Sequence, residues 1–180
     1  MPLYPYQGVL PTIDPTAYVH PDAVIIGDVQ IGAYSSIWPG VVIRGDVNHV
    51  RVGVHTNIQD GSILHVTRPT ADNPDGIPLL IGDEITIGHR VSLHACRLHN
   101  RCMVGIGAIV LDGVVIEEQA MVGAGSLVTP GKRVGAGELW MGSPARPVRT
   151  LDARALDAMA ATTANYVRLA QEYHPARTQP

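Results

Sequence analysis

The sequence predicts an all-β fold, a parallel β-helix of about six triangular coils followed by one C-terminal α-helix. Three observations carry that prediction. Aliphatic residues recur every six positions, at Ile13, Val19, Ile25, Ile31, Ile37 and Ile43. The register resumes at Val52, Ile58 and Leu64 after a three-residue slip, and at Ile81, Ile87 and Leu93 after a loop. After a one-residue deletion it runs from Leu98 through Val104, Val110, Ile116, Val122 and Val128 to Val134. Second, small residues stand two places before many of these positions, among them Ala23, Ser35, Cys96, Cys102, Ala108, Ala120 and Ser126, and glycine follows others, as at Ile31-Gly32 and Ile87-Gly88. Third, beyond residue 150 the spacing changes to that of Leu156, Met159, Thr163, Tyr166, Val167 and Ala170, which puts one apolar stripe on a helix.

Each six-residue unit makes one short strand and one corner. The small residue and the glycine suit a tight turn, where a larger side chain or an ordinary backbone conformation would clash. Three units close one triangular coil, and stacked coils pair their backbones about 4.8 Å apart, so the prism is on the order of 30 Å long. The polar, turn-rich stretch RPTADNPDGIP, residues 68–78, has no place in the register and reads as an excursion. Residues 1–149 are expected to form the β-helix domain with that inserted loop, and residues 150–180 a C-terminal helix packed along the prism. Thr150 is the expected N-cap, with Asp152 favourable to the helix dipole in the first turn.

Composition narrows the partners. A net charge of −3 and a pI near 6.2 lack the basic excess of a nucleic-acid binder, and 46% apolar against 16% charged residues excludes a disordered chain. No apolar run approaches the roughly 20 residues that span a bilayer, and the N-terminal MPLYPYQGVLPTIDP has no basic segment followed by an apolar one. The expectation is a cytoplasmic protein with no membrane and no nucleic-acid partner. Cys96 and Cys102 fit neither a disulfide framework nor a CxxC zinc spacing, and both occupy the small corner position as compact apolar fillers.

The histidines then stand out. His65 follows Leu64 and His94 follows Leu93, so both point outward from the same place in their repeats. They are 29 residues apart, an 18-residue coil plus the 11 residues of the excursion. With the excursion set aside, the two stack on adjacent coils, roughly 5 Å apart at the backbone. His89 lies about one face earlier on a convex prism, where outward side chains diverge. One chain can therefore offer two imidazoles at a site, and a third can come from His89 of a neighbouring copy, so that three copies around a threefold axis close three such sites. Three neutral imidazoles with an open fourth position are the ligand set of a catalytic Zn²⁺. His20, His49, His55, His99 and His174 have no such register relation and read as surface residues.

At IRGD (43–46), TNIQDGSILH (56–65), IGHRVSLHAC (87–96) and GSPARPVR (142–149) the chain resembles the γ-class carbonic anhydrases and their relatives among hexapeptide-repeat proteins. The resemblance implies a left-handed β-helix, a homotrimer, and metal ligands His65 and His94 from one subunit with His89 from the next. It implies that Arg44, Asp46 and Asp60 form ion pairs across the subunit interface. Asn57, Gln59 and Tyr166 match residues near the metal that orient substrate. It also shows a departure: the glutamates that relay protons in founding members of the family are absent, and the short loop offers only Asp72 and Asp75. The leading expectation is reversible hydration of carbon dioxide to bicarbonate on Zn²⁺, with Fe²⁺ or Co²⁺ as alternative metals. Two others stand beside it: acyl transfer or thioester hydrolysis on a coenzyme A conjugate, for which a single histidine suffices as base, and a non-catalytic metal-binding or assembly subunit.

Overall fold

The computed structural model describes residues 3–173, so the last residues assigned to the helix, 174–180, and with them His174, lie outside the described residues. The chain winds into a left-handed β-helix with three flat faces. Strands Tyr18–Val19, Ser36–Ile37, Asn57–Ile58, Thr86–Ile87, Met103–Val104, Met121–Val122 and Glu138–Gly142 stack in parallel on the first face. The second face carries Ile63–His65, Ser92–His94, Ile109–Val110 and Leu127–Val128, and the third Leu79–Ile81, Arg97–Leu98, Val115–Ile116 and Arg133–Val134. Two longer strands, Val24–Ile31 and Val42–Val52, bend around the edge between the second and third faces and belong to both.

The six-residue period exists because one side chain per strand points at the axis. Of the nineteen aliphatic register positions all but Ile13 are buried, and Ile25, Ile37, Ile43, Ile58, Leu64 and Ile87 are wholly so. Each such side chain contributes about 1.5–3 kcal/mol by leaving water. The small residues two places earlier are buried as well, Ala23, Ala108 and Ala120 completely. The three-residue slip widens one corner. Gly27 pairs with Gly45 and Val29 with Val50, so Asp46, Val47, Asn48 and His49 stand where the preceding coil has Asp28 alone. The corner closes only over glycine, since a Cβ on Gly45 would lie 2.5 Å from the Asp28 carbonyl oxygen.

At the C-terminal end, strands Glu138–Gly142 and Ala145–Thr150 form an antiparallel hairpin, and the helix Ala153–Tyr173 (α1) then returns along the first face. Its inner stripe packs Tyr166 on Trp38, with ring centroids 5.6 Å apart, and Tyr18 on Trp38 at 5.4 Å. The cap differs from the expectation. Thr150 ends the hairpin strand, and Asp152 Oδ1 accepts the Ala155 N–H at 2.8 Å. The GSPARPVR segment is the hairpin turn and return strand, which carries Thr150 away from the helix terminus. No described helix is long and apolar enough to cross a membrane.

Candidate metal centre

Four successive coils each place one polar side chain on the edge between the second and third faces: Asp46, His65, His94 and Asp112. His65 and His94 end paired strands and are direct partners in the parallel register, as the 11-residue excursion requires. The excursion leaves and rejoins the prism at an antiparallel bridge between Thr67 and Ile77.

His65 Nε2 is 3.1 Å from Asp46 Oδ1, and His94 Nδ1 is 2.6 Å from Asp112 Oδ1. An ionised carboxylate only accepts, so the ring proton of each neutral imidazole sits on the nitrogen facing its aspartate. The other two nitrogens, His65 Nδ1 and His94 Nε2, then face each other bare, 3.2 Å apart. Two acceptors at that distance need a proton or a cation between them. A shared proton is disfavoured: burial, foremost, holds His65 below the ordinary imidazole value and the Arg44 charge adds to this, although the Asp46 hydrogen bond pulls the other way. Burial also raises Asp46, but hydrogen bonds from Arg44, His65 and the Val47 amide, with the Arg44 charge, outweigh it and leave the carboxyl ionised below its usual range. Asp112 is treated alike, burial being outweighed by hydrogen bonds from Thr67 and His94.

The spacing suits a metal. Two imidazole nitrogens, each about 2.0–2.1 Å from Zn²⁺ at a tetrahedral angle, stand about 3.3–3.4 Å apart, and an imidazole whose far N–H is held by a carboxylate is the usual form of a histidine ligand. One chain does not complete such a site: among the described residues, no three His, Cys, Asp or Glu side chains converge. His89 lies on the edge between the first and second faces, with Nδ1 2.9 Å from Asp60 Oδ2, and both side chains are about half exposed. Between the two edges the second face presents Ile63 and Ile109 to solvent.

The other residues singled out in the sequence fall elsewhere. Arg44, half exposed, forms an ion pair with Asp46 of its own chain. Asn57 and Gln59 are buried on the first face, beneath α1. Gln59 Nε2 donates to Asn57 Oδ1 at 3.0 Å, and Asn57 Nδ2 donates to Thr86 Oγ1 at 2.9 Å, which meets Thr163 Oγ1 of the helix at 3.1 Å. Asn57 is thus tied into the helix interface and Gln59 lies beside the Asp60–His89 edge. Tyr166 is half-buried against Trp38, and burial first, then the charge of Asp60, raises its hydroxyl above the usual value. Asp72 and Asp75 are exposed in the excursion, and His99 is an exposed neighbour of Glu117 at 3.9 Å. Asp112 and Thr67 were not picked out from the sequence. Asp112 lies one 18-residue coil beyond His94, and that spacing is the signal that could have found it.

The comparisons with known proteins agree with this geometry. Residues 11–45 match the family described as bacterial transferase hexapeptide (six repeats). "Gamma carbonic anhydrase 2, mitochondrial" of Arabidopsis thaliana is 47% identical over 161 residues, which are 89% of this chain and 58% of that protein. Protein YrdA of Escherichia coli K12 is 46% identical over 171 residues, 95% of this chain and 93% of the relative. The chain belongs to the γ-class carbonic anhydrase family. It spans less than two thirds of the Arabidopsis member's length, but nearly the whole of the bacterial one. Among solved structures, a hexapeptide transferase family protein from Anaplasma phagocytophilum superposes with a TM-score of 0.89 at 44% identity, covering 96% of this chain and 98% of that one. Members of the family are metal-dependent, and the donor set on the His65–His94 edge fits that requirement.

Proposed function

We propose that this protein catalyses metal-dependent reversible hydration of carbon dioxide, as a homotrimer in which His65 and His94 of one copy and His89 of the next hold one metal at each interface. The observation that carries this reading is the pair of bare nitrogens on His65 and His94, aimed at each other and each backed by a carboxylate. The kinship with gamma carbonic anhydrases supports the reaction, and the exposed Ile63 and Ile109 on the face between the two histidine edges suit burial against a second copy. Zn²⁺ is the metal proposed, with Fe²⁺ or Co²⁺ able to take the same nitrogens. When bound, such a cation supplies the Lewis acidity that makes water acidic near neutral pH.

The chain's own residues do the rest. Asp46 and Asp112 hold the ligating rings in one tautomer. Gln59, steadied by Asn57, offers its remaining amide atoms to orient the substrate beside His89, and Tyr166 closes that side from the helix. Arg44, Asp46 and Asp60 supply charge at the subunit contact. The two free, buried thiols fit a reducing compartment, which a cytoplasmic location provides. Stopped-flow hydration on metal-loaded protein tests the reading: activity that vanishes on chelation and returns with Zn²⁺ supports it, while a metal-loaded protein at the uncatalysed rate contradicts it.

Acyl transfer is the second reading, favoured by the Anaplasma relative's description as a hexapeptide transferase family protein. It leaves the two facing histidines unexplained, since one base is enough for that chemistry. Saturable acetyl-CoA binding that is indifferent to metal removal would favour it.

A further inference from the structure

The 68–78 excursion breaks the aliphatic register, and its base is built against the His94 side of the metal centre. Thr67, the last residue before it, exchanges backbone hydrogen bonds with Ile77, Thr67 N–H to the Ile77 carbonyl at 2.9 Å and the reverse at 3.0 Å. Asn48, in the widened corner of the preceding coil, donates through Nδ2 to the carbonyls of Thr67 at 3.2 Å and Asp75 at 2.8 Å. Gly76, with φ of +62°, seals the base: a Cβ there would lie 2.4 Å from the Thr67 carbonyl oxygen and 2.7 Å from Asn48 Nδ2. The Thr67 backbone is therefore held from three sides, which fixes the direction of its side chain. Its hydroxyl donates to Asp112 Oδ2 at 2.5 Å, and the other oxygen, Oδ1, accepts the His94 Nδ1–H at 2.6 Å.

We propose that Asp112, aimed by Thr67 at the base of the 68–78 excursion, is the positioning residue that presents His94 Nε2 to the metal, with the excursion acting as its clamp. The proposal rests on the metal-centre reading given above. The chemistry of the pair decides which atom is exposed. A carboxylate has no proton to give, so Thr67 must donate to one oxygen and His94 to the other, and the His94 lone pair is left on Nε2. The two ends of the column are anchored differently, Asp46 by the Arg44 ion pair and the Val47 amide, Asp112 by a hydroxyl whose place depends on the loop.

An amide in place of the Asp112 carboxylate makes a sharp test. In Asp112→Asn the Thr67 hydroxyl claims the amide oxygen and turns the NH₂ toward His94. Nδ1 must then accept, and the ring proton moves to Nε2, where the metal needs a lone pair. Zn²⁺ affinity measured by competition with a chromogenic chelator is expected to fall about 10–100-fold, and ¹⁵N NMR of the metal-free variant is expected to show the His94 proton on Nε2 instead of Nδ1. Thr67→Val alone is expected to weaken Zn²⁺ by about tenfold. Added to Asp112→Asn, however, it frees the amide to turn its oxygen to His94 and regains part of the lost affinity, whereas two purely structural lesions would add. Parental affinity in Asp112→Asn with the proton still on Nδ1 overturns the proposal, as does additive loss in the double variant. Should Asp112→Asn not fold, Thr67→Val decides alone, and parental affinity there is the refuting result. A parent protein that binds no Zn²⁺ overturns the metal-centre reading and the proposal with it, while a parent that binds Zn²⁺ beside an unaffected Asp112→Asn overturns only the proposal.

Discussion

Two edges of the prism carry imidazoles whose ring protons are held by aspartates. Between the second and third faces, His65 and His94 lie side by side with Asp46 behind one and Asp112 behind the other, and their free nitrogens meet at 3.2 Å. Between the first and second faces, His89 is backed in the same manner by Asp60, but in its column Asp60 and Ile106 occupy the coils on either side. The fold is the same at both edges and so is the carboxylate–imidazole unit. What differs is the neighbour one coil away, and that alone makes one edge two thirds of a three-imidazole set and the other the missing third. A convex prism cannot bring the edges of one chain together, so the set closes only between copies.

Breaking the paired edge should have the largest effect. His94→Ala is expected to remove the metal and lower hydration more than about 100-fold, since loss of even an outer partner costs 10–100-fold in metal affinity or activity. Elemental analysis and stopped flow on the same sample check both halves of that expectation. His89→Ala should lose the metal equally, although its own His65–His94 pair is intact. Mixing the two variants through reversible dissociation should then restore activity at about one interface in four, the random chance of an intact pair meeting an intact His89. Full retention of metal in His89→Ala would show that the edges work separately.

Substitution deep in the core separates fold from site. Ile116, fully buried two coils from the metal edge on the third face, should cost about 2–5 kcal/mol of stability as Ile116→Ala, measured by chemical denaturation. Metal affinity per folded chain should stay as it was. The smallest effect concerns the thiols near the paired edge. Burial, above all, pushes Cys102 up to about 12 and Cys96 upward too, so neither offers a thiolate to the metal at neutral pH. A thiol whose folded pKa is raised keeps its proton where the unfolded chain loses it. It therefore lowers stability progressively as pH rises above about 8.5, the unfolded value, up toward the folded one, and contributes nothing below it. Iodoacetamide at pH 8 should leave both cysteines and the metal untouched until the protein is unfolded; rapid alkylation with metal loss would place a thiol in the site.

How much of this could be read from the sequence follows from which forces act at short range. The six-residue period is imposed by the axis of the prism, where one side chain per strand is buried, and it stands in the sequence without ambiguity from Ile13 to Val134. The stacking of His65 on His94 follows from counting, because coil length is constant and the excursion is a separable 11 residues. Asp112 obeys the same count, yet an aspartate at a solvated corner is the commonest way to finish a turn, and Asp22, Asp28 and Asp83 look no different in the sequence. Its meaning depends on the direction of its carboxylate, which Thr67 sets from 45 residues away. Asn57 could not be placed for a similar reason: its partner Thr86 lies a coil further on, but Thr163 comes from a helix whose position along the prism no periodicity fixes. The helix cap was misplaced by two residues because the segment before it folds back as a hairpin strand, a long-range pairing with Glu138–Gly142 that local preferences do not report.

Native mass spectrometry of the intact assembly, with the metal retained, bears most directly on the claim that the two edges complete each other across a subunit contact. Three chains carrying three metal ions, with the metal released as the assembly falls to single chains and no metal on a His89→Ala assembly, is the predicted result. A single chain that keeps its metal, or a His89→Ala trimer that still carries three, would contradict it.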